Sequence, residues 1–83
     1  MQRSPNSNDR IIGENIARLR RAKDLSLQHF ADQLGLSRMQ IEKYEAGTNR
    51  VALSRAIDIC ALLKCPLTEL CVGTTPTATH RCT

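Results

Sequence analysis

The apolar residues of this chain recur at the three- and four-residue spacing of amphipathic helices, in segments separated by turn-forming residues. In the first segment, Ile12, Ile16 and Leu19 share one helix face. In each of the next two segments, a serine precedes the apolar pattern and a glycine follows it, as is typical of helix N-caps and C-caps. These capping residues are Ser26, Gly35, Ser37 and Gly47. The predicted helices cover 9–23, 27–34 and 38–46.

The second half of the chain predicts two further helices. Leu53, Ile57 and Leu63 belong to a broadly apolar segment, which should end near Lys64 because Pro66 disfavours a helical conformation at the preceding residue. A short fifth helix over 67–72 follows. Helix four is mostly core and carries little functional information.

The polar ends of the chain bound a single predicted domain. Residues 1–8 and 73–83 are polar, contain proline and show no periodicity. Asp9 is a plausible N-cap for the first helix. We therefore expect a disordered N-terminal arm of 1–8, a helical domain of 9–72 and a disordered C-terminal tail of 73–83.

The second and third predicted helices form a helix, a tight turn and a helix. Ile41 and Tyr44 lie on the inner face of the third helix, and its outer face is polar. A short helix that exposes base-reading side chains near its N-terminus, braced by a preceding helix, has the geometry that enters a major groove. We therefore expect a DNA-binding module. The predicted base-reading residues are Arg38, Met39, Gln40 and Lys43.

Composition narrows the function classes. Eighty-three residues allow one small domain, which leaves no room for a large catalytic cleft. One Tyr, one Phe and no Trp offer almost no stacking surface for single-stranded nucleic acid or RNA. The formal net charge of +4 suits a polyanionic partner without establishing one, since ordinary solubility explains it equally well.

Catalytic, metal and membrane roles find little support. No run is long enough to span a membrane, and the N-terminus lacks the apolar region of a secretory signal, so we expect a soluble cytoplasmic protein with no membrane partner. His29 and His80 have no nucleophile arranged beside them, and an enzyme is not expected. The four cysteines match no paired metal-binding spacing, so Cys60 is interpreted as a core residue and the others as reduced thiols, with no cofactor. The others are Cys65, Cys71 and Cys82.

Residues 11–71 resemble the phage repressor and Cro family of helix-turn-helix domains, often called XRE-type. The resemblance is carried by the run Leu34-Gly35-Leu36-Ser37, by Arg20, and by the pair Glu45 and Gly47, among other positions. It implies an all-α, five-helix repressor-like DNA-binding domain whose third helix lies in the major groove. It also implies that Arg20 and Glu45 form a structural bridge between the first and third helices, and that Arg38, Met39 and Lys43 face the bases with Gln40 beside them.

Phosphate contacts are expected at the helix caps and the loop after the third helix, where they position the domain rather than read sequence. The predicted contacts are Ser26, Leu27, Gln28, Ser37, Thr48, Asn49 and Arg50. Leu27 departs from the family, which usually has a phosphate-clamping glutamine there. Either Gln28 or His29 rebuilds that contact, or Leu27 faces a methyl or sugar surface. Two more departures are Lys64, in place of the usual C-cap glycine, and Ala52, in place of a capping serine.

These features predict a transcriptional regulator, a repressor or autoregulatory controller, that binds a double-stranded, pseudo-palindromic DNA operator as a homodimer. One reading helix supplies only a few kcal/mol of discrimination, and a second half-site about 34 Å away doubles it. The candidate dimer interface consists of Leu67, Leu70 and Val72, which are either an apolar edge left for a partner chain or the last residues of the core. The alternative is an antitoxin-type module whose main partner is a toxin, with operator binding secondary; RNA polymerase is a further candidate protein partner.

Overall fold

The computed structural model describes residues 7–75, which form five α-helices and no strand. The all-helical fold class predicted from the sequence is confirmed. The helices are α1 (Ser7–Ala22), α2 (Leu27–Leu34), α3 (Arg38–Ala46), α4 (Leu53–Leu63) and α5 (Leu67–Leu70). No helix within 7–75 is long and apolar enough to cross a membrane.

The two central helices begin and end at the predicted residues. Ser26 and Ser37 are the N-caps of α2 and α3, and each hydroxyl accepts a hydrogen bond from the backbone N–H three residues later. Gly35 and Gly47 end these helices in the left-handed conformation, with φ of 71° and 78°. Local capping chemistry therefore fixes the limits of the helix-turn-helix unit.

Helix α4 lacks the family's usual capping residues at both of its ends. Ala52 occupies the N-cap position and makes no side-chain cap bond. At the other end Lys64 adopts the left-handed conformation, with φ 55° and ψ 47°, in place of a glycine. The left-handed conformation of a residue with a Cβ costs about 1 kcal/mol relative to glycine at this position.

Helix α1 starts earlier than predicted. It already includes Ser7 and Asn8, so Asp9 lies within the helix and is not its N-cap. Three consecutive residues, Ser7, Asn8 and Asp9, all have side chains suited to capping, and the local sequence does not decide among them. The prediction of an arm reaching Asn8 was therefore wrong for its last two residues; 1–6 lie outside the described residues.

The C-terminal limit also differs from the prediction. Helix α5 ends at Leu70 rather than Val72, and turn structure follows it. The tail prediction was wrong for 73–75, because the backbone N–H of Thr75 donates to Asn8 Oδ1 at 3.1 Å and the Asn8 amide donates back to the Thr75 carbonyl. This long-range contact had no sequence signature. The remainder of the predicted tail, 76–83, lies outside the described residues.

A single aliphatic core sits among the five helices, with Phe30 and Ile41 fully buried at the α2–α3 corner. The other core residues are Ile16, Ala31, Tyr44, Ala56, Ile59, Cys60, Leu63 and Leu70. Each large aliphatic or aromatic side chain contributes about 1.5–3 kcal/mol when it is fully buried. Because Ile41 and Tyr44 both point inward, the opposite face of α3 is directed to solvent.

Two residues of α1 that the sequence analysis did not single out set how the helices meet. Gly13 lies against the backbone of α3, where an added Cβ would overlap the Tyr44 carbonyl oxygen and stand 2.7 Å from that of Glu45. The buried Asn15 side chain donates to the carbonyls of Leu70 and Val72, at 2.8 and 2.9 Å. Gly13 therefore sets the distance between α1 and α3, and Asn15 ties α1 to the end of α5.

Candidate nucleic-acid interface

The outer face of α3 presents a cluster of polar and flexible side chains to solvent. The side chain of Arg38 is 59% exposed, and Met39 is 62% exposed. Lys43 is also exposed, and Gln40 is half-buried at the edge of this face. The structure thus brings the four predicted base-reading residues together on and around one solvent-facing surface of a capped helix. Their contact with bases stays a prediction.

An acidic residue on the same face was missed by the sequence analysis. Glu42 Oε2 lies 3.3 Å from Arg38 Nε, one helical turn away, and both side chains are about half exposed. Exposed pairs of this kind contribute little to stability, so Arg38 remains free to exchange Glu42 for a guanine edge. The signal was available in the sequence, since Arg and Glu at positions i and i+4 face each other on a helix.

The ion pair implied between Arg20 and Glu45 is present and bidentate. Arg20 Nε donates to Glu45 Oε2 at 2.7 Å, and its Nη2 donates to Oε1 at 3.1 Å. Arg20 Nη1 also donates to the Leu25 carbonyl at 2.6 Å. The side chains of Arg20 and Glu45 are only 8% and 11% exposed. One guanidinium therefore joins α1, the turn before α2 and the C-terminal end of α3.

The predicted phosphate-contacting residues cluster at the ends of α2 and α3. Ser26 and Ser37 are exposed and cap the two helix N-termini, where free N–H groups favour anions. Thr48 is held at the far end of α3, because its backbone N–H and its hydroxyl both donate to the Lys43 carbonyl. The N–H of Asn49 reaches the same carbonyl at 3.4 Å.

The other residues predicted to contact phosphate have side chains that already interact with other parts of the protein. Arg50 Nε lies 3.1 Å from Asp9 Oδ2 and tethers the loop after α3 to α1. Leu27 is half-buried against the core rather than fully presented to solvent. The Gln28 amide donates to Asp32 Oδ1 at 2.9 Å on the exposed side of α2. Arg50 and Gln28 therefore each already have a carboxylate partner within the protein.

Away from α3, an apolar groove of about 170 Å³ runs between α4 and α5. Leu53 and Leu67 line it and are 65% and 39% exposed, and Ile57, one turn after Leu53, is 55% exposed. Val72 is 54% exposed beyond α5. Leu70 is only 1% exposed because it packs in the core. Its assignment to an intermolecular interface was wrong, because the packing of α5 against α1 and α4 buries Leu70 within the protein.

Comparison with known proteins agrees with this architecture. The helix-turn-helix family model HTH_3 matches residues 16–70. An uncharacterised HTH-type transcriptional regulator of Sinorhizobium medicae is 36% identical over 66 residues, covering 80% of this chain and 48% of that protein. This chain therefore spans about half the length of that relative. The antitoxin PezA of Streptococcus pneumoniae is 40% identical over 50 residues, covering 60% of this chain and 32% of that protein.

Among solved structures, the restriction-modification controller protein C.AhdI from Aeromonas hydrophila superposes with a TM-score of 0.73 at 28% sequence identity. The superposition covers 78% of this chain and 98% of that one. The matched family segment contains α2 and α3 with both of their caps, and it contains Arg20 and Glu45. The chain belongs to the XRE-type helix-turn-helix family of DNA-binding domains.

Proposed function

We propose that this chain is a sequence-specific regulator of transcription that binds double-stranded DNA as a homodimer, with α3 in the major groove of each half-site. The observation that carries this proposal is a reading helix held by a buried bidentate ion pair at its C-terminal end, with its opposite face exposed. Arg20 and Glu45 make that pair, and Arg38 and Lys43 project from the free face. Because α3 is already fixed in the free protein, less conformational entropy is lost when it binds in the groove.

The chemistry of the exposed side chains sets what they recognise. Arg38 can donate two hydrogen bonds to guanine O6 and N7, Lys43 can donate singly to the same edge, and Met39 can pack against a thymine methyl. Each good polar contact supplies about 1–3 kcal/mol of discrimination. The capped N-termini at Ser26 and Ser37 would hold phosphates on either side of the groove.

The test is selection of random duplex DNA on the purified chain at about 150 mM salt, followed by sequencing of the retained fraction. We expect a two-fold-symmetric motif with half-sites about 10–11 base pairs apart. In the Lys43→Ala variant, preference should relax at one position of each half-site while the melting temperature stays unchanged. Equal weakening on every sequence would contradict base reading by Lys43, and sequence-blind retention by the wild type would contradict the proposed function.

The matched control is Gln33→Ala. Gln33 is exposed on α2 and makes no assigned DNA contact. Its substitution removes a similar amount of flexible side chain, so the selected motif should be that of the wild type. A motif change in Gln33→Ala would show that the readout follows general surface changes instead of the face of α3.

The homodimer is supported by the apolar surface formed by Leu53, Ile57 and Leu67. A second copy related by a two-fold axis would cover the same residues on both subunits. Exposed leucine and isoleucine side chains clustered beside a groove are unusual on a protein that works as a monomer. Dimeric reading also supplies the discrimination that a single short helix lacks.

Replacing Ile57 with lysine should weaken self-association by at least about tenfold, because the charge would have to be desolvated at the centre of the interface. Sedimentation velocity over a concentration series measures the effect. Ala22→Lys is the control, since Ala22 is also exposed but lies at the C-terminal end of α1. A wild-type association constant in Ile57→Lys would place the interface on another surface.

The same apolar surface supports a second candidate, an antitoxin-type module that binds a toxin protein, and the local similarity to PezA points in the same direction. The two candidates differ in what covers the surface. The antitoxin-type function is favoured by two results together: the wild-type chain stays monomeric at high concentration, and it binds a toxin encoded by a neighbouring gene only when Ile57 is present. Concentration-dependent dimerisation of the isolated chain favours the homodimeric regulator.

A further inference from the structure

Three cysteines lie close together where α4 ends and α5 begins. Cys60 is buried in the last turns of α4, Cys65 is half-buried just after that helix, and Cys71 is exposed at the end of α5. All three thiols are free. Within 7–75, no three His, Cys, Asp or Glu side chains are arranged to hold a metal ion. The transcriptional role proposed above makes no use of these thiols.

The end of α4 brings two of these cysteines into contact. The N–H of Cys65 donates to the Cys60 carbonyl at 3.1 Å, and the N–H of Lys64 donates to the Ala61 carbonyl at 3.3 Å. With Lys64 in the left-handed conformation, these bonds define a Schellman motif. That motif places the side chains of its first and last residues against each other, and here both are cysteines.

The backbone hydrogen bond holds Cys65 beside Cys60 at the end of α4. Burial of Cys60, together with its Cys65 and Cys71 neighbours, raises the pKa of Cys60 to about 11. Cys60 is therefore protonated at neutral pH and poorly placed to meet a solvent oxidant. Of the two paired cysteines, Cys65 is the more exposed, so its sulfur is the one of the pair that such an oxidant reaches first.

We propose that Cys60 and Cys65 form an intrachain disulfide across the C-terminal turn of α4 when the protein meets a hydroperoxide. The peroxide transfers one oxygen to the Cys65 sulfur, giving a sulfenic acid and an alcohol, or water when the oxidant is hydrogen peroxide. The Cys60 sulfur then attacks the Cys65 sulfur and displaces its hydroxyl, which leaves as water with the Cys60 proton. One peroxide is reduced by two electrons, and the two thiols are oxidised to one disulfide.

The bond would fix the geometry of the turn that joins α4 to α5. A disulfide needs Cα atoms roughly 4.4–6.8 Å apart, and the main-chain hydrogen bond between these two residues already holds their backbones together. The crosslink would close a loop that contains Lys64 and would keep Lys64 in its left-handed conformation. Since α5 begins two residues after Cys65, its orientation on α4 would also be held.

The test treats the folded full chain with hydrogen peroxide, alkylates the remaining thiols and digests it with trypsin without reductant. Trypsin cleaves after Lys64, so the disulfide would link the separate peptides 56–64 and 65–81. We expect this linked pair at the summed mass of the two peptides minus two hydrogen atoms. Its fragment spectrum should show alkylated Cys71, and dithiothreitol should separate the two peptides. A link from Cys60 to Cys71, a link between two chains, or oxidation without any link would overturn the proposal.

Two variants of similar chemistry serve as matched controls. Cys65→Ser should abolish the linked peptide, and Cys71→Ser should retain it. In strong denaturant, pairings among all four cysteines, including Cys82, should appear together, because the fold no longer selects one pair. The same mixture in the folded protein would contradict selection by the turn. Oxidised Cys71→Ser should melt several degrees above its reduced form, because the crosslink restricts the unfolded chain.

Discussion

Gly13→Ala should destabilise this protein by at least about 3 kcal/mol, although the same change in an isolated helix would be favourable by about 1 kcal/mol. The methyl group would overlap the Tyr44 carbonyl oxygen and stand 2.7 Å from the Glu45 carbonyl oxygen, closer than van der Waals contact allows. Both neighbours are backbone atoms, so no side-chain rotation relieves the overlap and α1 must move away from α3.

Urea unfolding followed by circular dichroism measures the loss. A domain of this size has a total stability of about 4–12 kcal/mol, so a large part of it would be lost. Gly35→Ala is the contrasting control, since Gly35 has a positive φ but nothing within 4 Å of the position that a Cβ would take. It should cost only the backbone penalty of about 1 kcal/mol. A Gly13→Ala variant as stable as the wild type would contradict the close crossing of α1 and α3.

The second large effect is expected for Glu45→Ala, which should lower the free energy of unfolding by about 3 kcal/mol. Within residues 7–75, the truncation leaves the buried guanidinium of Arg20 with the Leu25 carbonyl as its one remaining hydrogen-bond partner. Because the ion pair joins α1 to the end of α3, DNA affinity should fall together with stability. Chemical unfolding and DNA titration on the same preparation measure both.

Glu42→Ala is the matched control for this prediction. Glu42 lies on the same helix and carries the same charge, but its pair with Arg38 is about half exposed. Its loss should change stability by less than about 1 kcal/mol. If Glu45→Ala melts at the wild-type temperature, the ion pair does not brace α3, and α3 is oriented instead by the burial of Ile41 and Tyr44 and by its close crossing with α1.

The limits of α2 and α3 were predictable because their determinants are local. A serine hydroxyl caps each helix, and a glycine ends each one in a conformation that other residues adopt at a cost. The inward direction of Ile41 and Tyr44 followed from helical spacing alone. With those two positions fixed, the exposure of Arg38, Met39 and Lys43 was determined as well.

Two of the predictions that were wrong depended on contacts between distant parts of the chain. From the sequence, Leu70 belongs either to the core or to an apolar edge, and only the packing of α5 against α1 and α4 decides that it is buried. The residues after α5 look like the start of a tail, but Thr75 exchanges hydrogen bonds with Asn8, 67 positions earlier. No local pattern encodes such pairings.

The sequence by itself determined which segments become helices, where the central two begin and end, and which side chains α3 presents, because capping and helical periodicity act within a few residues. Only the tertiary structure decided that Gly13 must lack a side chain and that Asn15 holds the end of α5. Each of these depends on the distance between two backbones, which is set when the helices pack together.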